Sequence, residues 1–291
     1  MSDAPLTVGR HSRSLEGNRY VYAVLSRRSR GISVGINLNP DKVCNFGCVY
    51  CQVDRTAPPS FREVEESVLV GELESILERA RDGSLFLAPP FDSVPDPVRR
   101  LADIAFAGDG EPTTYPRFRE VVERVIGLKK DLGLDGLKIA VLTNCTVLDR
   151  PAVREALALL DESDGEIWAK LDAGTEAYFR KVCVPSGAKY SKILANILDA
   201  ARIRPLVIQS LFVRWEGGGP AIGEIEAYCD RLGEVVDGGG RIRLVQVTTV
   251  ARRPSVKTVL PLSDAEVDAI ADRVRIRTGL AVEAYHGSSA W

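Results

Sequence analysis

The sequence predicts an α/β fold with parallel strands, an open or closed (β/α) barrel of about six units, and three observations predict it. Short apolar, β-branched runs alternate with amphipathic helical patterns about six times, which implies parallel strands joined by right-handed crossovers. Each run is short, and most read as buried on both faces rather than apolar at every second residue. The residue clusters with chemical character follow the strands, where α/β folds place their sites. Periodicity alone does not separate a barrel from a doubly wound sheet; the barrel fits the pattern better.

Residues 1–30 read as an N-terminal extension whose "SRRSR" (26–30) is a solvated basic segment. Residues 31–250 read as the barrel core, and 251–291 as a C-terminal helix and strand that complete or cap it. The strands are expected at "GISVGINL" (31–38), "DIAFAG" (103–108), "LKIAVLT" (137–143), "EIWAKLD" (166–172), "LVIQSLFV" (206–213), "RLVQVTTV" (243–250) and "AVEAY" (281–285). Helices are expected over 64–83, 116–130, 150–162, 175–182, 191–203, 221–236 and 262–279. The first has apolar residues at 68, 70, 73, 76 and 77, and the last opens on Ser263 with Glu266 three residues on, a capping box. The Pro-rich "LAPPFDSVPDPVRR" (87–100) reads as a loop, and the tail places Tyr285, His286 and Trp291 at the barrel's end.

With 291 residues, 45% of them hydrophobic, the chain can build a substantial core. No run of eighteen apolar residues exists, and the opening residues lack the apolar stretch of a signal peptide, so no membrane is expected and the localisation expected is cytoplasmic. A net charge of −2 gives no general attraction to nucleic acid. In a reducing compartment a tight group of cysteines points to a metal rather than a disulfide.

Such a group stands at "KVCNFGCVYCQ" (42–52), with Cys44, Cys48 and Cys51 in a C-x₃-C-x₂-C pattern. A structural zinc site generally closes four ligands in two pairs. Here Cys145, Cys183 and Cys229 are each solitary and the only histidines are His11 and His286. Three thiolates with a position left open suit a [4Fe–4S] cluster with one iron free to bind something else.

This pattern, with the aromatic Tyr50 before the last cysteine, resembles the signature of the radical S-adenosylmethionine (SAM) enzymes. "AGDGEPT" (107–113) resembles that family's Gly-Gly-Glu segment, and "LTNCT" (142–146) its Thr-Asn-Gly stretch, with Cys145 where glycine is usual. "WAKLDAGTEAYFRKV" (168–182), "IQSLF" (208–212) and "VQVTTVARRPSVK" (245–257) look like the subgroup of the wyosine-forming tRNA enzyme and uncharacterised bacterial relatives. The resemblance covers roughly residues 30 to 260. It implies a partial (β/α)6 TIM-type barrel of the radical SAM kind. Cys44, Cys48 and Cys51 would ligate a [4Fe–4S] cluster that cleaves SAM reductively to a 5′-deoxyadenosyl radical, which abstracts hydrogen from a substrate.

The resemblance also implies roles for further residues. Gly108, Asp109, Gly110, Glu111 and Pro112 would bind SAM, Glu111 accepting its ammonium and the two glycines letting the backbone approach the ligand. Thr143 and Asn144 would serve the ribose or carboxylate of SAM, and Tyr50 would pack near its adenine. Lys170, Asp172, Gln209 and Ser210 would point into the cavity from later strand ends, with Lys170 and Asp172 also open to reading as a plain ion pair. Cys145, Cys183 and Cys229 are expected to be unligated. The partners implied are a reductant such as flavodoxin or ferredoxin and a substrate. A small molecule is favoured, tRNA being possible only if arginines such as Arg27, Arg28, Arg30, Arg252 and Arg253 gather at the barrel mouth. Two other classes compete with the enzyme reading: an iron–sulfur electron carrier without SAM chemistry, and a zinc-stabilised binding module.

Overall fold

The computed structural model describes residue 15 and residues 17–287; Trp291 and His11 lie outside the described residues. The described residues form two compact units. One comprises the chain up to Val43 with Pro58–Leu142 and Arg150–Glu166, the other Cys44–Ala57, Thr143–Asp149 and the chain from Ile167.

The first unit starts from a hairpin of β1 (Val21–Ser26) and β2 (Gly31–Ile36), antiparallel, followed by α1 (Glu66–Arg81), β3 (Leu101–Phe106), α2 (Phe118–Asp131), β4 (Lys138–Thr143) and α3 (Pro151–Asp161). Strand β3 runs parallel to both β2 and β4. All six residues of β2 are buried, as its uninterrupted apolar run predicts. Helix α1 buries Leu69, Leu73, Ile76 and Leu77, the i, i+4, i+7, i+8 stripe of a helix lying on a sheet. Each such side chain contributes about 1.5–3 kcal/mol. Phe106 on β3 meets Phe118 on α2 edge to face, centroids 5.5 Å apart.

Strand β1 is the departure from the expected extension over 1–30. Its start is fixed by Glu72 of α1, whose carboxylate accepts the backbone N–H groups of Arg19 (2.7 Å), Tyr20 (2.9 Å) and Val21 (3.0 Å). The Pro-rich stretch is tighter than a plain loop: the 3₁₀ turns Ser84–Leu87, Phe91–Ser93 and Asp96–Val98 hold Leu85 and Phe91 in the core.

In the second unit the chain runs through β5 (Gly165–Lys170), α4 (Glu176–Cys183), α5 (Tyr190–Ile203), β6 (Leu206–Leu211), β7 (Val213–Arg214), α6 (Ile222–Asp237), β8 (Ile242–Thr248), β9 (Leu260–Pro261), α7 (Asp264–Thr278) and β10 (Val282–Tyr285). Strands β5, β6, β8 and β10 pair in that order, all parallel, while β7 and β9 form a small antiparallel pair. The capping box of Ser263 and Glu266 opens α7 as expected. Gly174 sits so close to α6 that a Cβ there would lie 2.1 Å from the Tyr228 nitrogen. The carboxylate of Glu224 on α6 accepts from Thr175 Oγ1 at 2.6 Å and fastens the turn into α4. Among the described residues no helix is long and apolar enough to cross a membrane.

Candidate functional site

The cysteine loop has little regular structure of its own, so its backbone groups must find partners elsewhere. They find them at and just past the end of α4: Gly47 N–H donates to Val184 O (2.9 Å), Val49 N–H to Val182 O (3.0 Å), and Ser186 N–H to Asn45 O (2.9 Å). Ser255 adds two bonds to Cys51 O, from its N–H (2.9 Å) and its Oγ (3.0 Å). Phe46 anchors the loop in the core against Phe179, centroids 5.6 Å apart. This pinning leaves Cys44, Cys48 and Cys51 partly exposed and outside any disulfide, whereas Cys145, Cys183 and Cys229 are buried.

Each thiol of the loop has a different neighbour. Cys44 Sγ lies 3.9 Å from Asn45 Oδ1, Cys51 Sγ 3.8 Å from Arg55 Nη2, and Cys48 Sγ accepts from Lys170 Nζ at 2.9 Å. Among the described residues no three His, Cys, Asp or Glu side chains converge on one metal-sized point. A cluster whose thiolates each take a separate iron does not require that convergence. Three partly exposed thiols on one braced loop, two of them facing cations that offset thiolate charge, fit such a group.

Lys170 and Asp172, left open between site and plain ion pair by the sequence, belong to a buried polar network. Lys170 Nζ lies 3.3 Å from Asp172 Oδ2, and also over the rings of Tyr50 (4.8 Å) and Phe46 (5.6 Å). Asp172 accepts the Tyr50 hydroxyl on Oδ2 and the Leu211 N–H on Oδ1 (2.8 Å). Cys183 completes the group, its Sγ 3.8 Å from both Asp172 Oδ2 and the Tyr50 hydroxyl. The hydrogen bond with Cys183 and the Lys170 ammonium hold the Cys48 thiol down at about 6, against the opposing effect of burial. Its bond to Cys48, together with burial, pushes the Cys183 thiol well up. Burial alone would lower Lys170, but the charges of Cys48 and Asp172 outweigh it and keep the ammonium protonated far above its usual range. Burial and Asp172 likewise raise the Tyr50 phenol, which stays a donor.

The turn after β4 is tied to the same loop. Asn144 Nδ2 donates to Asn45 Oδ1 (2.7 Å), Asn45 Nδ2 to Thr146 Oγ1 (2.7 Å), and Cys145 N–H to Thr143 Oγ1 (3.0 Å). Cys145 has φ +65°, the left-handed region that favours glycine, the residue usual at this place in the resembled stretch. Asn196 of α5 holds its carbonyl at 2.7 Å.

Ser210 and Gln209, neighbours on β6, part company here. Ser210 is fully buried and turned away from the Gln209 face: its hydroxyl bonds Leu171 O (2.6 Å) and the Tyr228 hydroxyl of α6 (2.5 Å). Alternation along β6 puts Gln209 on the opposite side from Ser210 and on the side of Lys170, its register partner on β5.

In the first unit, Gly108–Pro112 follows β3. The glycines have a reason inside the chain for lacking a side chain, since a Cβ at Gly108 would lie 2.3 Å from Asn37 Oδ1 and one at Gly110 would lie 2.2 Å from Val43 O. Asn37 donates to Asp109 Oδ2 (2.8 Å) and accepts the Asp109 N–H (3.1 Å). Glu111 is only 3% exposed and caps the 3₁₀ turn Pro112–Thr114, its Oε1 accepting Thr113 N–H (3.2 Å) and Oγ1 (2.5 Å). Asn37, Asn45, Arg55 and Cys183 are the members that sequence reasoning missed. Only Asn45, inside the cysteine motif, carried a signal.

Comparisons with known proteins show the family and the fold. The family model described as Radical SAM superfamily matches residues 38–214. A UPF0026 protein of Helicobacter pylori strain J99 is 30% identical over 181 residues, 62% of this chain and 51% of that protein. A second, UPF0026 protein MJ1312 of Methanocaldococcus jannaschii, is 28% identical over 159 residues, 50% of this chain and 41% of that protein. The chain thus spans about half the length of the curated relatives it matches. Among solved structures, SuiB of Streptococcus suis bound to S-adenosylmethionine aligns with a TM-score of 0.58 at 13% identity, covering 84% of this chain and 49% of that one. TYW1 with a lysine-pyruvate adduct bound aligns with a TM-score of 0.54 at 17% identity, covering 85% and 74%. At these identities the likeness shows the fold: α/β, a partial TIM-type barrel.

Proposed function

Because the chain belongs to the radical SAM superfamily, we propose that Cys44, Cys48 and Cys51 hold a [4Fe–4S] cluster and that the protein is an enzyme acting on a small molecule. The observation that carries this reading is the C-x₃-C-x₂-C loop, braced at both ends with each thiol facing a different neighbour, inside the matched residues 38–214. When bound, the cluster and SAM supply reductive cleavage of the sulfonium to methionine and a 5′-deoxyadenosyl radical, which takes a hydrogen atom from the substrate.

The chain's own residues do the holding and tuning. Lys170 donates to Cys48 Sγ and is itself fixed by Asp172 and Tyr50, so it delivers a positive charge to one thiolate ligand. Thr143 and Asn144 brace the loop through Asn45 and remain candidates for the SAM ribose or carboxylate. Gly108, Asp109, Gly110, Glu111 and Pro112 would bind the methionine end, Glu111 dividing its carboxylate between the Thr113 cap and the ammonium. Tyr50, buried and bonded to Asp172, positions Lys170 and would flank the adenine. The electron would come from a flavodoxin or ferredoxin in the cytoplasm, where thiols stay reduced. A net charge of −2 favours a small substrate over tRNA.

The test is metal analysis after anaerobic reconstitution. The wild-type chain should hold about four irons with matching sulfide. Cys44→Ala, Cys48→Ala and Cys51→Ala should each lose the visible iron–sulfur absorbance while keeping the far-ultraviolet circular dichroism of the fold. Full iron content in any one of them, or stoichiometric zinc in its place, would refute the assignment.

A further inference from the structure

The four parallel strands of the second unit place one residue each in a common row. Lys170 on β5 is in register with Gln209 on β6, Gln209 with Gln246 on β8, and Gln246 with Glu283 on β10. Residues in register on neighbouring parallel strands project from the same side of the sheet. That side is the one from which Lys170 reaches Cys48, so two carboxamides stand beside each other on the cysteine side of the sheet.

Their hydrogen bonding is incomplete in a complementary way. Gln246 is 3% exposed, yet its buried Oε1 accepts no hydrogen bond, and on the next strand the buried Nε2 of Gln209 donates none. Buried polar side-chain atoms are nearly always paired, and an unpaired one weakens the fold. One free donor and one free acceptor at the same level of adjacent strands therefore offer nothing to stability. They offer a ligand a matched pair.

We propose that Gln209 and Gln246 form a substrate-recognition subsite for a neutral planar group that carries a hydrogen-bond acceptor beside a donor, the edge of a nucleobase or a carboxamide. Gln209 Nε2 donates to the ligand's acceptor and Gln246 Oε1 accepts from its donor, the kind of two-point contact by which glutamine amides read a base edge. A carboxylate or phosphate fits this pair worse, because it has no donor for Oε1. The neighbouring Lys170 does not invite an anion either, being engaged by Cys48 and Asp172. The subsite rests on the enzyme reading only for the statement that its occupant is the substrate; the complementary amides stand without it.

The experiment is ligand-observed NMR on the full chain, with and without SAM, against cytidine, guanosine and nicotinamide. The arms separate a nucleobase from a simple carboxamide. At least one probe should bind and remain bound when SAM is added, and Gln246→Met should weaken it by about tenfold or more. The same variant should melt at or above the wild-type temperature, because an apolar side chain of equal length removes an acceptor that had no partner. If cytidine is the probe, its N4,N4-dimethyl form, which lacks the donor, should lose the same affinity on the unaltered chain, so the test survives a variant that does not fold. Binding by no probe, unchanged affinity in Gln246→Met or for the methylated probe, or a marked drop in melting temperature would each overturn the subsite. Displacement of the probe by SAM would also overturn it, by giving the amides to the cofactor. Failure of the cluster reading would show in iron content, which this measurement does not use.

Discussion

In the proposed cluster site Lys170 would act through one contact, the 2.9 Å hydrogen bond to Cys48 Sγ. A positive charge there stabilises the more negative, reduced form of a cluster bound through that thiolate. A charge-assisted hydrogen bond of about 1.5–3 kcal/mol corresponds to roughly 60–130 mV for a one-electron couple. Lys170→Met should therefore lower the cluster's reduction potential by about that much, read by redox titration with electron paramagnetic resonance. An unchanged potential would reduce the contact to packing. Glu111 caps the turn Pro112–Thr114 and, in the proposed reading, would also bind SAM, two duties that substitution can separate. Glu111→Gln keeps an oxygen for Thr113 and should melt like the wild type while binding SAM about tenfold more weakly. Glu111→Ala should lose in addition about 1 kcal/mol of cap stability. Equal SAM affinity in the glutamine variant would leave the carboxylate a cap alone. The three cysteines were legible because their relation is one of spacing along the chain. Cys183 and Gln246 were not, because their neighbours, Cys48 and Gln209, are set by the docking of the loop on residues 182–186 and by the register of β8 on β6.

Strands and helices were legible wherever an apolar run met ordinary breakers, and the seven expected helices coincide with α1–α7 to within two residues at each end. Strand β1 escaped. Its "VYAVLS" is apolar enough, but the turn that follows is Arg27–Arg30, with Arg30 at φ +52° in a place where glycine or asparagine would have announced a hairpin. The pairing that holds it, Glu72 on the backbone of Arg19, Tyr20 and Val21, spans more than fifty residues and leaves no local trace. The turn after β3 was legible as a motif, yet its glycines answer to their own chain: the Gly110 position has no room for a Cβ beside Val43 O. Because backbone, rather than a flexible side-chain end, must move to admit a methyl group, Gly110→Ala should destabilise the protein by about 1–3 kcal/mol. Urea denaturation measures this as a lower midpoint at unchanged slope. An unshifted midpoint would mean that the turn relaxes freely.

For the whole molecule, the family match over residues 38–214 covers the cysteine loop, the turn after β3, the turn after β4 and the Lys170–Asp172 pair. Of the two amides of the proposed subsite, Gln209 lies inside that span and Gln246 beyond it. A shared cofactor needs a shared set of ligands, whereas substrate recognition needs only a face of the sheet and can be rewritten strand by strand. The fold class was legible from alternation of strand and helix; the substrate was not, since neither composition nor a net charge of −2 specifies a ligand. The most direct test is reductive cleavage itself, measured on the full chain after anaerobic reconstitution, with SAM and dithionite, by quantifying products. Methionine and 5′-deoxyadenosine should form in equal amounts and should be absent with Cys48→Ala. Recovery of intact SAM from a wild-type chain that holds about four irons would contradict the central claim.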